Sequence, residues 1–465
     1  MIPRRADELA AAVGGRLVAG NPAARVTGAS FDSRLLRPGE AFFAIVARND
    51  GHAFAAEAAR KGAPAVVASR PVDLPAGTAL VLVDDTLAAL GRLAADERRR
   101  RAGMKVVAVT GSAGKTTTTA LVRAALGARW RAGSTRGNWN NRLGLPLSIL
   151  DLGEDVEAAA LELGMNRPGE IRDLAAIADP DVGVITLAAR AHLGFFPDVR
   201  AIARAKAELW EAMAASSGAG RSRTAVVPDD DPYLLELARH AGLPVLRFGL
   251  GPGADVRAEA IEPSPAGGIA FRVAGVRVEL ALWGRHAVRN ALAALAAARA
   301  LGIPLEEAAP RLATVEPLPG RGRVHRLADG TTVIDETYNA NPDAVRVVLA
   351  ALAEFPAPGR RVAVLGDMLE LGEAAPALHR EVGEAAAAAG FDPVWAVGTL
   401  AEEVARGAAS RGASTRTWPA ADDAAGDLPR LVRPGDLVLL KGSRGVRLER
   451  ALEALLAARG VEERR

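Results

Sequence analysis

The sequence contains no cysteine, which excludes disulfides, thiolate metal sites and a cysteine nucleophile. It is also poor in lysine: Lys61, Lys105, Lys115, Lys206 and Lys441 are the only five among 58 basic residues, leaving 53 arginines. Routine positive charge in this chain is arginine, so a surviving lysine marks a position where a guanidinium would be a poor substitute. Asparagine, with nine residues, and tyrosine, with two, are similarly scarce. No run approaches the roughly 20 uncharged apolar residues needed to span a bilayer. The start MIPRRADELAAAV enters an amphipathic helix without a cleavage signal. A cytoplasmic protein without membrane insertion is expected.

What is present suffices for several cores. Of 465 residues 49% are hydrophobic, with 48 glycines and 28 prolines, and about three domains is the natural expectation at this length. The formal charge is only +3 and the basic residues are spread along the chain, so no nucleic-acid partner is expected. The one dense basic run, Arg98 to Arg101, follows Asp96 and Glu97 at the end of a helical stretch and reads as a solvated helix terminus.

Composition breaks at RRRRAGMK and at VEPLPGRGR (315–323) divide the chain into expected domains 1–102, 103–317 and 318–465. In each, apolar β-branched runs alternate with Ala-rich helical stretches. KVVAVTG precedes TTTTALVRAAL, for example, and DVGVITLA precedes VRAIARAKAELWEAM. That alternation predicts an α/β fold: a small N-terminal α/β domain, a central P-loop ATPase domain with a mainly parallel sheet, and a C-terminal Rossmann-like α/β domain.

The most specific local signal is T-G-S-A-G-K-T-T at 110–117, after an apolar strand and before a helix. Backbone N–H groups of Gly111 to Thr117 and the positive helix end suit phosphate, Lys115 can neutralise it, and the Thr116 hydroxyl can hold magnesium. The first glycine of the general pattern is missing, since position 109 is Val. A ligand-free Gly-rich strand–helix turn is the alternative.

This shortened loop resembles that of the Mur ligase superfamily, and further motifs extend the resemblance over all three blocks. They are FDSRLLRPGEAFFAI, GNWNNRLGLPLSIL, ELGMNRPGEI, AHLGFF, ARAKAELW, GRHAVRNALAA, PGRGRVHRL, DETYNANPDAV, LGDMLELG and KGSRGVRLE. Seven of the nine asparagines fall inside them. G-N-x-N-N-x-x-G-x-P with Y-N-A-N-P resembles the branch that joins D-alanyl-D-alanine to UDP-N-acetylmuramoyl-tripeptide. The resemblance implies an ATP-dependent amide ligase working through an acyl phosphate, with two magnesium ions, acting as a monomer.

It also implies roles residue by residue. Gly111, Ser112, Ala113, Gly114, Lys115, Thr116 and Thr117 would bind ATP, with Asn290 on the adenine side and Arg321 and Asp335 contacting phosphates and ribose. Thr116, Glu162, His192 and Lys206 would serve the metal site, and Lys115, Lys206 and His192 the chemistry. Around His192 the sequence departs from the family pattern at Arg190 and Gly194. Lys206 matches a lysine that is carbamylated in many relatives; only a lysine can supply the neutral amine this needs. An ordinary salt bridge to Glu208 or Glu211 is the alternative. Ser33 and Arg34 match the uridine-nucleotide segment. Asn138, Asn140 and Asn141 would line the cleft for the muramoyl peptide. Tyr338, Asn339 and Asn341 would face the dipeptide or nucleotide, and Lys441, Ser443 and Arg444 the acceptor carboxylate. For each asparagine, simple support of turn geometry is the alternative. Another Mur-type ligase, such as the third-residue-adding enzyme, a folylpolyglutamate synthetase, and a nucleotide-gated scaffold remain open.

Overall fold

The computed structural model describes residues 1–191, 193–216, 221–264 and 268–461. Its centre is a seven-stranded sheet in the order Val256–Arg257, Val245–Gly249, Thr224–Pro228, Val182–Ile185, Lys105–Thr110, Ala158–Glu162, Ala132–Ser134. Every neighbouring pair is parallel. The strand Lys105–Thr110 is apolar on both faces, as a doubly covered parallel sheet requires. Val106 and Ala108 join the core shared with helices Gly144–Leu150, Glu170–Ala178 and Val199–Ala215. Val107 and Val109 face helices Lys115–Leu126 and Arg285–Ala300. Strand register sets Glu162 opposite Val109, and Ile185 opposite Thr110. The carboxyl ends of three strands therefore meet beside the Gly-rich turn, where open α/β sheets bind ligands.

A second, three-stranded antiparallel sheet, Glu259–Pro263, Ile269–Val273 and Val276–Leu280, was not anticipated from the sequence. Its hairpin turns at Ala274 and Gly275, both with positive φ, between strands whose alternate residues Phe271, Val273, Val278 and Leu280 are buried.

The first block holds a five-stranded sheet ordered Arg16–Ala19, Ala79–Leu82, Ala65–Ala68, Glu40–Phe43, Gly28–Ser30, with one antiparallel edge. The third holds a six-stranded sheet ordered Arg323–Arg326, Thr332–Glu336, Leu437–Lys441, Arg361–Gly366, Val394–Val397, Thr415–Trp418. There too only the first pair is antiparallel.

The basic run ending helix Thr86–Arg100 is not the solvated terminus its composition suggested. Arg99 and Arg100 are exposed, but Arg98 and Arg101 are buried, as is Glu97. Arg98 donates to the carbonyls of Ala178 (3.1 Å), Arg101 (2.8 Å) and Asp179 (3.1 Å). Arg101 bonds Glu97 at 2.9 Å and the carbonyls of Gly153 and Leu152 at 2.8 and 3.2 Å. Each guanidinium spreads its five donors over three acceptors, two of them on a loop of the middle block. The first block is thereby riveted to the middle one. The Met1 amine on the Leu150 carbonyl at 2.7 Å also crosses the joint, while the Arg4 fork on Asp96 and Glu97, both 2.8 Å, ties the chain start to the same helix within the first block.

Candidate active site

The strand Lys105–Thr110 runs into residues 111–114, and helix Lys115–Leu126 begins directly after Gly114. Two glycines are required for different reasons. Gly114 caps the helix at φ +79°, and a Cβ there would lie 2.6 Å from Asn290 Oδ1. At Gly111 a Cβ would lie 1.8 Å from Thr186 Oγ1, so only hydrogen fits.

Thr186, which sequence reasoning passed over, fixes the loop. Its hydroxyl donates to the Ala113 carbonyl at 2.6 Å. Ser112 N donates to the Leu187 carbonyl at 2.9 Å, and Ala189 N donates to Ser112 Oγ at 3.0 Å. The loop is thus held from the neighbouring strand end, leaving the helix N-terminus to meet an anion.

Lys115 folds back so that Nζ donates to the Gly111 carbonyl at 2.9 Å. Burial pushes its ammonium below the ordinary lysine value; the nearby Glu162 carboxylate pulls it up and Arg321 pushes it down. Two charged groups from distant parts of the chain therefore act on one cation. Asn140 Nδ2 donates to Glu162 Oε1 at 2.7 Å, and Glu162 N is held by Thr135 Oγ1 at 2.7 Å. Asn140 consequently orients the carboxylate whose other oxygen, Oε2, is buried with no partner.

The Thr116 hydroxyl is likewise buried and unpartnered. Thr110, Thr118 and Thr119 share that property, so it is the place of Thr116 in the first helical turn that singles it out. A carboxylate oxygen and a hydroxyl left over at the phosphate loop fit magnesium, which takes oxygen ligands and keeps several waters. Among the described residues no group of three His, Asp or Glu side chains is arranged to hold a metal. His192 lies outside the described residues.

Lys206 is buried in helix Val199–Ala215 and makes no hydrogen bond or ion pair among the described residues. The salt-bridge alternative is absent. Glu208 instead accepts from Gly169 N at 2.8 Å and Arg172 N at 3.2 Å, capping helix Glu170–Ala178, while Glu211 pairs with Arg172 at 2.9 Å. Burial, and then the charge of Lys115, push Lys206 well below the ordinary lysine value. Burial without a partner disfavours the charged form of this amine.

The third block reaches the same place. Asn341 caps helix Pro342–Ala353 through Oδ1 (Ala344 N, 2.8 Å), and its Nδ2 approaches the Ser112 carbonyl at 3.5 Å. Two guanidinium groups lie over the Tyr338 ring, Arg321 at 3.8 Å and Arg444 at 5.3 Å from its centre. The buried Asp335 carboxylate is occupied by Gly320 N at 2.8 Å and Thr337 Oγ1 at 2.7 Å, so it shapes the turn that carries Arg321. Lys441 donates to Glu336 Oε2 at 2.9 Å and to the Asn339 carbonyl at 3.0 Å. Ser443 Oγ accepts from Leu369 N at 3.0 Å. His286, unassigned by sequence, has a buried, unpartnered Nδ1 and is held below its ordinary value by burial, against the nearby Glu336 charge.

Ser33 and Arg34 stand apart in the first block. Ser33 is buried, its carbonyl taking Lys61 Nζ at 2.9 Å, while the exposed Arg34 pairs with Asp32 at 2.7 Å. That pair draws Asp32 down to about 2. Phe31 next to them packs on Trp139 of the GNWNN segment with ring centres 6.5 Å apart, connecting the two sites. Asn138 is exposed, and Asn141 is a turn former, accepting from Leu143 N at 3.1 Å and Gly144 N at 2.8 Å.

A phosphate loop on a parallel sheet, met at its carboxyl edge by residues of a third α/β block, defines a multidomain nucleotide-binding α/β protein. Residues 109–298 match the Mur ligase middle domain, and 320–444 the Mur ligase, glutamate ligase domain. A Bacillus subtilis UDP-N-acetylmuramoyl-tripeptide–D-alanyl-D-alanine ligase is 33% identical over 98% of this chain and 99% of its own length. MurF from Acinetobacter baumannii superposes with a TM-score of 0.88 at 32% identity, covering 98% and 99% of the two chains. MurF from Thermotoga maritima, solved in complex with ADP, does so at 0.81 and 32%, covering 93% and 98%. The chain belongs to the Mur ligase family.

Proposed function

We propose that this protein joins D-alanyl-D-alanine to UDP-N-acetylmuramoyl-tripeptide, with ATP giving ADP and phosphate, to form the UDP-muramoyl-pentapeptide precursor of peptidoglycan. Near full-length similarity to ligases of that name supports the reaction. The observation that carries it is the meeting of Lys115, the half-free Glu162 carboxylate and Arg321 at one strand edge. Amide formation from a carboxylate is uphill in water, so the tripeptide carboxylate first takes the γ-phosphoryl group. The dipeptide amine then attacks the acyl phosphate and phosphate leaves. Catalysis of this kind is positioning and charge neutralisation.

In this reading the amides of 111–117 and Lys115 hold the nucleotide phosphates. Arg321, stacked on Tyr338, supplies a further cation from the third block. Magnesium, when bound, neutralises phosphate oxygens, and Thr116, Glu162, His192 and a carbamylated Lys206 would hold it. The Lys206 amine adds carbon dioxide and releases a proton, turning an unpartnered base into an anionic oxygen donor. Ser33 and Arg34 receive the uridine nucleotide, while Asn138 and Asn140 lie along the peptide's course. Lys441, Ser443 and Arg444 face the acceptor. We assign the work to a monomer with segments 1–102, 103–317 and 318–465 as its domains, in the cytoplasm.

Phosphate release is the test. Release that requires ATP, UDP-muramoyl-tripeptide and D-alanyl-D-alanine together is expected; release independent of the dipeptide, or supported equally by glutamate on a folate, overturns the reading. A panel of tripeptides and dipeptides then fixes the specificity.

A further inference from the structure

The segment after strand Val182–Ile185 touches the phosphate loop on one side and the third block on the other. Leu187 and Ala189 bond Ser112. Immediately beyond, Arg190 N donates to Asp343 Oδ2 at 2.8 Å, and its guanidinium donates to Asp343 Oδ1 at 2.9 and 2.6 Å. The remaining nitrogen, Nη1, bonds Glu381 at 3.1 and 3.2 Å, and Arg346 also pairs with Glu381. Among the described residues, both salt bridges between the middle and third blocks belong to Arg190. Gly194 N donates to the Glu370 carbonyl at 2.9 Å, and a Cβ on Gly194 would lie 3.4 Å from Gly372 N. Asp343 sits in the first turn of the helix that Asn341 caps, and Asn341 reaches the Ser112 carbonyl. A continuous path of bonds thus runs from the phosphate loop through 187–190 to helix Pro342–Ala353 and back.

We propose that Arg190 is a positioning residue that latches the third block over the phosphate loop, so that closure is set by its fork on Asp343 and Glu381 as well as by the nucleotide. A planar fork grips Asp343 through two nitrogens and still leaves Nη1 for Glu381, a bidentate geometry that an ammonium lacks. The three side chains are a quarter to a third exposed, so water and salt can enter and the latch can open. The role in catalysis rests on the proposed nucleotide site; the latch itself does not.

Small-angle scattering of the whole chain without ligands tests it. Arg190→Glu, which repels both carboxylates, is expected to give a larger radius of gyration than wild type. Raising the salt from about 0.05 to 1 M should loosen the wild type in the same direction, because the Debye length falls to about 3 Å. In turnover, KM for ATP should rise by about tenfold, within the usual range of coupling between sites, with a smaller change in kcat. Asp343→Asn, which leaves Arg190 in place, should move the same way, and the exchange Arg190→Glu with Asp343→Arg should regain compactness. Scattering profiles of folded Arg190→Glu and Asp343→Asn that superimpose on wild type, or an exchange as open as the single variants, would overturn the latch. An inactive wild type would speak against the ligase reading and leave the scattering result standing.

Discussion

Replacing Thr186 by valine removes one hydroxyl and keeps the outline of the side chain, so it isolates the bond that seats the phosphate loop. That hydroxyl donates to the Ala113 carbonyl at 2.6 Å. A methyl group cannot stand there, because carbon rests about 3.5 Å or more from a non-bonded neighbour. The loop must move by roughly 1 Å, and misplacement of that size is enough to cost catalysis heavily. The acceptor also loses its partner, at about 1–3 kcal/mol for a buried group; this one is part-buried, which argues for the lower half of that range. About 1–2 kcal/mol corresponds to roughly five- to thirtyfold weaker nucleotide binding. Calorimetric titration with ADP reads it directly, with KM for ATP as a second measure. Thr186→Ser, which keeps the oxygen, should stay within twofold of wild type. A Thr186→Val protein that binds ADP as tightly as wild type would refute the claim that Thr186 positions the loop.

Three further outcomes follow from the geometry. Arg98→Met should lower the urea midpoint of the first unfolding transition by the equivalent of about 3–5 kcal/mol, the usual loss when one partner of a buried charged group goes; Arg98→Lys should not restore it. Asn140→Ala frees Glu162 Oε1 and should lower kcat while raising the magnesium concentration needed for half-maximal rate, seen in a magnesium titration of phosphate release. Lys206 has a folded-state pKa well below its unfolded value of 10.5. The unfolded chain therefore binds the extra proton between those two values, and stability in carbon-dioxide-free buffer should rise with pH through that window. Urea midpoints across the pH range should show this rise in wild type and a flatter profile in Lys206→Met. Lys206→Arg with full activity and no bicarbonate dependence would remove the carbamate from the proposal.

The features legible in the sequence are those whose cause is local. An apolar strand, a Gly-rich turn and a Thr-rich helix start announce the phosphate loop, and strand–helix alternation announces three α/β units, because each signal lies within about twenty residues. Burial of Arg98 and Arg101 was not legible, since their acceptors in the middle block lie 51 to 81 residues away. The role of Thr186 likewise depends on a carbonyl 73 residues distant. Lysine scarcity pointed to Lys115, Lys206 and Lys441 but left Lys61 without a role, since its contact with the Ser33 carbonyl had no local sign. Asparagine counting was less discriminating: Asn141 and Asn341 cap helices or turns through Oδ1, and only Asn341 also reaches the phosphate loop. The hairpin sheet after residue 258 was hidden by a different rule, alternation of period two inside a block otherwise read for buried parallel strands.

The rivet of Arg98 and Arg101 has a mechanical consequence. Because Arg98 and Arg101 tie helix Thr86–Arg100 to the 152–153 and 178–179 loops, the first and middle blocks are joined in one frame. Under the proposed function, the ends of the long nucleotide–peptide substrate are then gripped at fixed points of one frame, Ser33 at one end and Lys115 with Glu162 at the other. That frame acts as a gauge. A peptide one residue too short would leave its carboxylate shy of the phosphate loop, whatever the third block does.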